Sequence, residues 1–291
     1  MTGPAASRTL DALSLCGSGV GGRLSPMRRV LDWFDFLGGR PGEVVYVDGG
    51  SSANTRRALT TLLDEGHIDR LELLHPANWE NHPHRCYIQE HQAGRLATRD
   101  YLCFVKLDTL ALREGRDDWL DQAITVLDEP QTFAITNSHL IDPMQPVEEH
   151  DDMLASDFAS LNFSLMKRSA FIASMEAQIS EMLRSGFRTE PPTDIGAEAG
   201  HERAMIEWAW RAHCPARGRR TLAYRESRDW MIFHINKQGS KLMQDRAAMR
   251  RRDGVEAHFD KPKGHSRPPI RGDSQFGRSI ESAVRRLRGR S

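Results

Sequence analysis

From Thr9 to about Leu127, short apolar runs alternate with longer stretches whose apolar positions recur every three or four residues. A strand apolar on both faces needs cover on both sides, and a helix with one apolar stripe needs a surface to lie on. The two needs are met together when βαβ units stack on a largely parallel sheet. Thr9 to Cys16 reads as a first strand, Gly17 to Gly22 as a Gly-rich loop, and Pro26 to Leu37 as a helix with Met27, Val30, Leu31, Phe34 and Leu37 on one side. Glu43 to Val47 is a clearer strand, set between Pro41-Gly42 and Asp48-Gly49-Gly50. Thr55 to Glu65 follows as its crossover helix, with Asn54 a candidate N-cap and Gly66 just past its end.

Further along, Leu71 to Leu74 reads as a short strand, and the His- and Asn-rich stretch to His84 as a loop. Tyr101 to Leu107 is the strongest strand in the chain and runs directly into Asp108. Trp119 to Leu127 reads as a helix, Thr132 to Thr136 as a strand, and the acidic stretch Pro143 to Ser156 as a surface loop. Leu161 to Met166 (strand), Ser169 to Ser185 (helix), Glu202 to Ala212 (helix) and Trp230 to Ile235 (strand) complete the pattern. The expectation is an α/β domain over residues 1–240 with a mixed, mostly parallel sheet flanked by helices, and a basic extension over 241–291.

Composition narrows the functions open to such a domain. No apolar run approaches the roughly 18 residues needed to span a bilayer. The segment Met1 to Arg8 lacks a basic start and an apolar core, which leads us to expect a cytoplasmic protein. Cys16, Cys86, Cys103 and Cys214 are far apart, with no C-x-x-C pair, and read as reduced thiols. The net charge of zero is uneven: Lys261 to Ser291 holds nine basic and two acidic residues, a net +7, which leaves −7 on the other 260. An acidic body argues against nucleic acid as a partner.

Four constellations carry possible chemistry. Val44 to Thr55 is a strand that opens into an acidic, Gly-rich turn before a helix, where open α/β sheets bind ligands. The same residues also suit a tight turn in which Asp48 accepts from nearby amides. Lys106-Leu107-Asp108-Thr109 places a cation and an acid where a buried strand emerges. Gly200-His201-Glu202-Arg203 puts a carboxylate at a helix start, a position that fits either a general base or a simple complement to the helix dipole. Trp230 to Gly239 is a strand that ends in His234 and Asn236.

In this order, the segments resemble family-two glycosyltransferases of the Rossmann-like GT-A fold, over roughly Thr9 to Gly239. Asp48, Gly50, Ser51 and Thr55 match the D-x-G-S-x-D-G-T turn, with Ala53-Asn54 in place of its Asp-Gly. The resemblance implies that Asp48, Gly50 and Ser51 bind the nucleotide. It makes Lys106-Leu107-Asp108 the counterpart of a D-x-D motif with one carboxylate, so that Asp108 and His234 would face a divalent cation, Mn or Mg, and Lys106 a phosphate. Glu202 takes the slot of the general base, with Asp194 a second candidate. Asn162, in the stretch Asn162 to Arg168, falls where the family turns a small or polar residue toward the donor sugar. The implied activity is transfer of a sugar from a nucleotide-sugar donor to a glycan or lipid-linked acceptor, as in polysaccharide biosynthesis, with inversion in a single displacement.

Two other readings stay open. Gly19-Val20-Gly21-Gly22-Arg23-Leu24-Ser25-Pro26 resembles the G-x-G-T-R-L-x-P loop of sugar-1-phosphate nucleotidyltransferases, with Gly22 in place of Thr. The single carboxylate at Asp108 also fits a catalytically degenerate GT-A domain that only binds nucleotide sugar. Finally, Phe276, Ile280, Val284 and Leu287 recur at near-helical spacing among five arginines. A basic helix of this kind can attach the protein peripherally to anionic lipid at the inner face of the membrane, and the same Gly- and Pro-flanked segment also suits a solvated, partly disordered tail.

Overall fold

The computed structural model describes residues 8–19, 26–74, 88–106, 109–137, 148–150, 153–156, 159–184, 206–207, 210, 213–214, 217–225, 227–234, 240–253 and 255. The chain forms two compact units, Met1–Met243 and Gln244–Ser291. In the second, the described residues include the end of a helix, Ser240–Arg250.

The first unit is built on one sheet. Its elements are α1 (Arg8–Asp11), β1 (Leu13–Gly19), α2 (Pro26–Leu37), β2 (Glu43–Asp48), α3 (Ala53–Asp64), β3 (Arg70–Leu73), α4 (Ile88–Leu96), β4 (Tyr101–Lys106), β5 (Thr109–Arg113), α5 (Trp119–Leu127), β6 (Thr132–Asn137), β7 (Glu148–His150), β8 (Met153–Ser156), β9 (Phe163–Lys167), α6 (Arg168–Arg184), β10 (Arg220–Tyr224) and β11 (Trp230–His234). Nine strands lie in the order β3-β2-β1-β4-β9-β6-β10-β8-β7, and β5 pairs with β11 in a small second sheet. The run β3-β2-β1-β4 is parallel, β9 lies antiparallel between β4 and β6, and β10 is parallel to β6. Only β9 and β8 run against the rest, so the sheet is mixed and mostly parallel, as the βαβ pattern implies.

Strand alternation divides the core into two layers. Leu13, Leu15, Val44, Tyr46, Cys103, Val105, Ile135 and Leu165 face one layer, which receives Trp33, Phe36 and Leu37 of α2, Leu59 and Leu62 of α3, and Trp119 and Ala123 of α5. Cys16, Val45, Val47, Leu102, Phe104, Phe133 and Met166 face the other, which receives Ala93 of α4, Phe171 and Met175 of α6, and Ile206, Trp210 and Cys214. Trp33 stacks on Phe163 with ring centroids 5.9 Å apart, and Phe36 bridges to Trp119 and Trp230. In the second layer α4 and α6 approach closely: a Cβ added to Gly94 would lie 2.3 Å from the Phe171 ring.

Several local expectations need correction. The first strand does not begin at Thr9: the chain makes a helical turn, Arg8–Asp11, before β1. The N-cap of α3 is Ser52, not Asn54, and its Oγ accepts from the Thr55 amide. The acidic stretch read as a surface loop contains β7 and β8, and β8 pairs along its length with β10, burying Met153, Ala155 and Ser156. Gly17 to Gly19, read as the start of the Gly-rich loop, belong to β1; residues 20–25, 75–87, 185–205 and 256–291 lie outside the described residues, and with them the rest of that loop, Asp194, Glu202 and the basic segment from Lys261.

Candidate functional site

The carboxyl ends of β1, β2 and β4 stand side by side, with Gly19 opposite Asp48 and Ser18 opposite Lys106. Because β9 is antiparallel, its amino end reaches the same edge, and the Lys106 amide donates to the Asn162 carbonyl at 3.3 Å. Asp48, Lys106 and Asn162 therefore share one edge of the sheet. Three strand spacings separate β2 from β9, about 14 Å.

Asp48 is fully buried. Its Oδ2 accepts from the amides of Gly50 (3.1 Å) and Ser51 (3.0 Å) and from Arg56 Nε (3.2 Å). Its Oδ1 is equally buried and has no hydrogen-bond partner among the described residues. The carboxylate is thus divided: one oxygen holds the turn, as a turn-capping acid would, and the other is an acceptor with nothing to accept. Burying such an acceptor without a donor costs about 1–3 kcal/mol, so a bound N–H or O–H would recover energy here. The turn itself requires glycine at position 50, where φ is +97°.

Beside it, Lys106 Nζ lies 3.8 Å from Glu90 Oε1, which also accepts from Ser18 Oγ at 2.9 Å. Glu90 is 5% exposed, in the first turn of α4. Asp108 lies outside the described residues. The strand after it, β5, pairs with β11 so that Thr109 stands opposite His234, and the backbone thereby brings His234 alongside the residue that follows Asp108. The His234 side chain is outside the description.

At Asn162, the side-chain Oδ1 is buried without a hydrogen-bond partner among the described residues. Its turn is held by Glu207, a buried acid whose Oε1 accepts from the Leu161 amide (2.7 Å) and Ser160 Oγ (3.1 Å). Arg56, Glu90, Ser160 and Glu207 escape the sequence reading. Asp48, Gly50, Ser51, Lys106 and Asn162 lie along one edge of the sheet.

Among the described residues, no group of three or more His, Cys, Asp or Glu side chains is placed to hold a metal. A hard cation takes six or more oxygen ligands, and Lys106, two positions before Asp108 where the D-x-D motif has its first carboxylate, donates none. Asp108 and His234 make a sparse donor set for such an ion. Cysteine chemistry is disfavoured: burial, and then Cys103 and Glu43, push the Cys16 thiol well above its ordinary pKa, and burial raises Cys103.

No family model matches the chain, and no protein of curated function does. Similar solved structures include the mannosyltransferase PcManGT from Pyrobaculum calidifontis in complex with GDP-Man and Mn2+. The two are 16% identical with a TM-score of 0.41, over 95% of this chain and 80% of that one. The S. aureus TarS 1-349 structure in complex with UDP-GlcNAc is 12% identical with a TM-score of 0.40, over 87% of this chain and 69% of that one. At TM-scores this low, the fold rests on the sheet order and register described above.

Proposed function

We propose that the chain is a glycosyltransferase that moves a sugar from a nucleotide-sugar donor to a glycan or lipid-linked acceptor. The observation that carries this reading is the divided carboxylate of Asp48: a fully buried acid at the carboxyl end of a strand, beside a Gly-rich turn, with one oxygen that finds no donor among the described residues. Asn162, three strands along the same edge, has a second buried acceptor with no donor among the described residues. Lys106 lies between them, on the path of a diphosphate. The motif order of the sequence supports the same assignment.

In this reading Asp48, Gly50 and Ser51 hold the nucleotide, Lys106 neutralises the diphosphate and Asn162 receives a sugar hydroxyl. Glu202 takes the proton from the acceptor hydroxyl, with Asp194 as the alternative base. The acceptor oxygen bonds to the anomeric carbon from the face opposite the diphosphate, which leaves with the electron pair of the broken C–O bond, so the centre inverts. A bound Mn or Mg ion would add positive charge near Asp108 and His234. No step above depends on it. The basic segment near residues 276–290 would hold the protein against anionic lipid, at the inner face of the membrane, where a lipid-linked acceptor is found.

The test is turnover. Incubated with UDP-, GDP- and dTDP-linked hexoses and a mixture of glycan acceptors, the protein should release one nucleoside diphosphate. Tight binding of a donor with no release in any combination would favour a binding domain over an enzyme.

A further inference from the structure

Glu207 belongs to a helical segment fixed by its neighbour Trp210, which is fully buried and donates from Nε1 to Ser174 Oγ at 3.1 Å. The Trp210 ring also packs against Phe104, Phe133 and Phe171. Placing a carboxylate 8% exposed on such a segment is costly unless it is bonded, and an apolar residue would fill the space more cheaply. Both bonds the acid makes go to one turn: from Leu161 N at 2.7 Å and from Ser160 Oγ at 3.1 Å. A hydroxyl has one proton to give and lone pairs to spare, and Ser160 uses both, accepting from the Asn162 amide at 3.2 Å. The turn is closed by Ser164 Oγ donating to the Ser160 carbonyl at 2.6 Å, and by Lys106 N donating to the Asn162 carbonyl. The result is an Asn162 side chain whose Oδ1 is buried with no partner among the described residues.

We infer that Glu207 is a positioning residue for the sugar end of the donor site: through Ser160 it holds Asn162 so that its amide oxygen stays open for a ligand hydroxyl. This rests on the glycosyltransferase reading. A purely structural Glu207 would matter equally for every ligand, whereas a positioning Glu207 matters only for ligands that reach Asn162.

The experiment titrates the full-length protein with UDP, GDP, UDP-glucose and GDP-mannose, as wild type and as Glu207→Ala, Glu207→Gln, Ser160→Ala, Asn162→Ala and Glu207→Ala/Asn162→Ala. For the nucleotide that binds, Glu207→Ala should weaken the sugar conjugate about tenfold while the free diphosphate changes less than about twofold. Glu207→Gln should restore most of the loss, since its amide oxygen accepts the same two bonds. In the Asn162→Ala background, Glu207→Ala should add almost nothing. Equal losses for diphosphate and conjugate, or additive losses in the double variant, would overturn the inference. If Glu207→Ala does not fold, Ser160→Ala must show the same split in smaller measure, and its absence is equally decisive. If wild type binds none of the four, dTDP, CMP and their sugar conjugates replace them; a wild type that binds none of these either refutes the glycosyltransferase reading, and the inference with it.

Discussion

Arg56 Nε donates to Asp48 Oδ2 at 3.2 Å while its Nη2 holds the Leu74 carbonyl at 2.6 Å, so one guanidinium joins the ends of β2 and β3 and fixes which Asp48 oxygen is spent. Lysine keeps the charge but not the planar fork. Arg56→Lys is therefore expected to leave the melting temperature near that of wild type and to weaken nucleotide binding about fivefold, as Asp48 loses its fixed orientation. Calorimetry on the two proteins checks this. Unchanged affinity would mean that the two backbone amides alone set the carboxylate.

Glu43 makes the contrasting case at the opposite edge of the sheet. It is 4% exposed and all its bonds stay within the protein: Ser14 Oγ at 2.6 Å, Arg70 Nε at 2.7 Å, and the Thr98 amide and hydroxyl at 2.7 and 3.0 Å. Burial, the largest influence, pushes its carboxyl upward, but these four bonds together outweigh it and hold the pKa below the ordinary value. A pKa lower in the folded state stabilises the fold above the unfolded value of about 4.3, and the gain is lost as the pH falls through the folded value. Glu43→Gln should cost about 1–3 kcal/mol at pH 7 by denaturant unfolding, flatten the loss of stability below about pH 4, and leave nucleotide affinity unchanged. A large loss of affinity would contradict its structural role.

The two edges also show what the sequence made legible. The limits of α2 (Pro26–Leu37) and α5 (Trp119–Leu127) follow from their apolar spacing, and the parallel strands from their β-branched runs. Asp48 was recognisable because its chemistry is local: an acid, glycines and a helix start in one segment. Helix α4 was not, because its buried stripe is Gln89, Glu90, Ala93 and Gly94, small or polar residues that carry no apolar period. The helix therefore hid Glu90, which acquires its role only when α4 lies beneath Ser18 and Lys106. Strand β7 reads as a loop because Glu148-Glu149-His150 is charged, as an edge strand can afford to be. Glu207 was out of reach for another reason, since its partners Ser160 and Leu161 are more than forty residues away in the chain.

Lys106 leads to a prediction about metal dependence. Departure of a diphosphate needs positive charge, which a cation or a lysine can supply. With Lys106 present, manganese or magnesium should bind weakly in the absence of nucleotide. Lys106→Ala should slow turnover and make it more dependent on added metal. Tight metal binding by the nucleotide-free protein, with Lys106→Ala fully active, would contradict this.

The proposed general base separates binding from chemistry. Removing a positioned base costs about two to four orders of magnitude in rate. Glu202→Ala should therefore lose turnover by that factor while donor affinity stays within about twofold. Near-wild-type turnover would shift the role to Asp194, where the same substitution should then produce the loss.

The most direct measurement is a thermal-shift panel of UDP, GDP, CMP, dTDP and their sugar conjugates on wild type and Asp48→Asn. A ligand at one hundred times its dissociation constant stabilises the protein that binds it by about 2.7 kcal/mol. One nucleotide class and its conjugate should raise the wild-type melting temperature, and the rise should be much smaller in Asp48→Asn. If none of these ligands shifts wild type, or the shift is as large without the Asp48 carboxylate, the buried acid is not the nucleotide receptor and the proposed function loses its foundation.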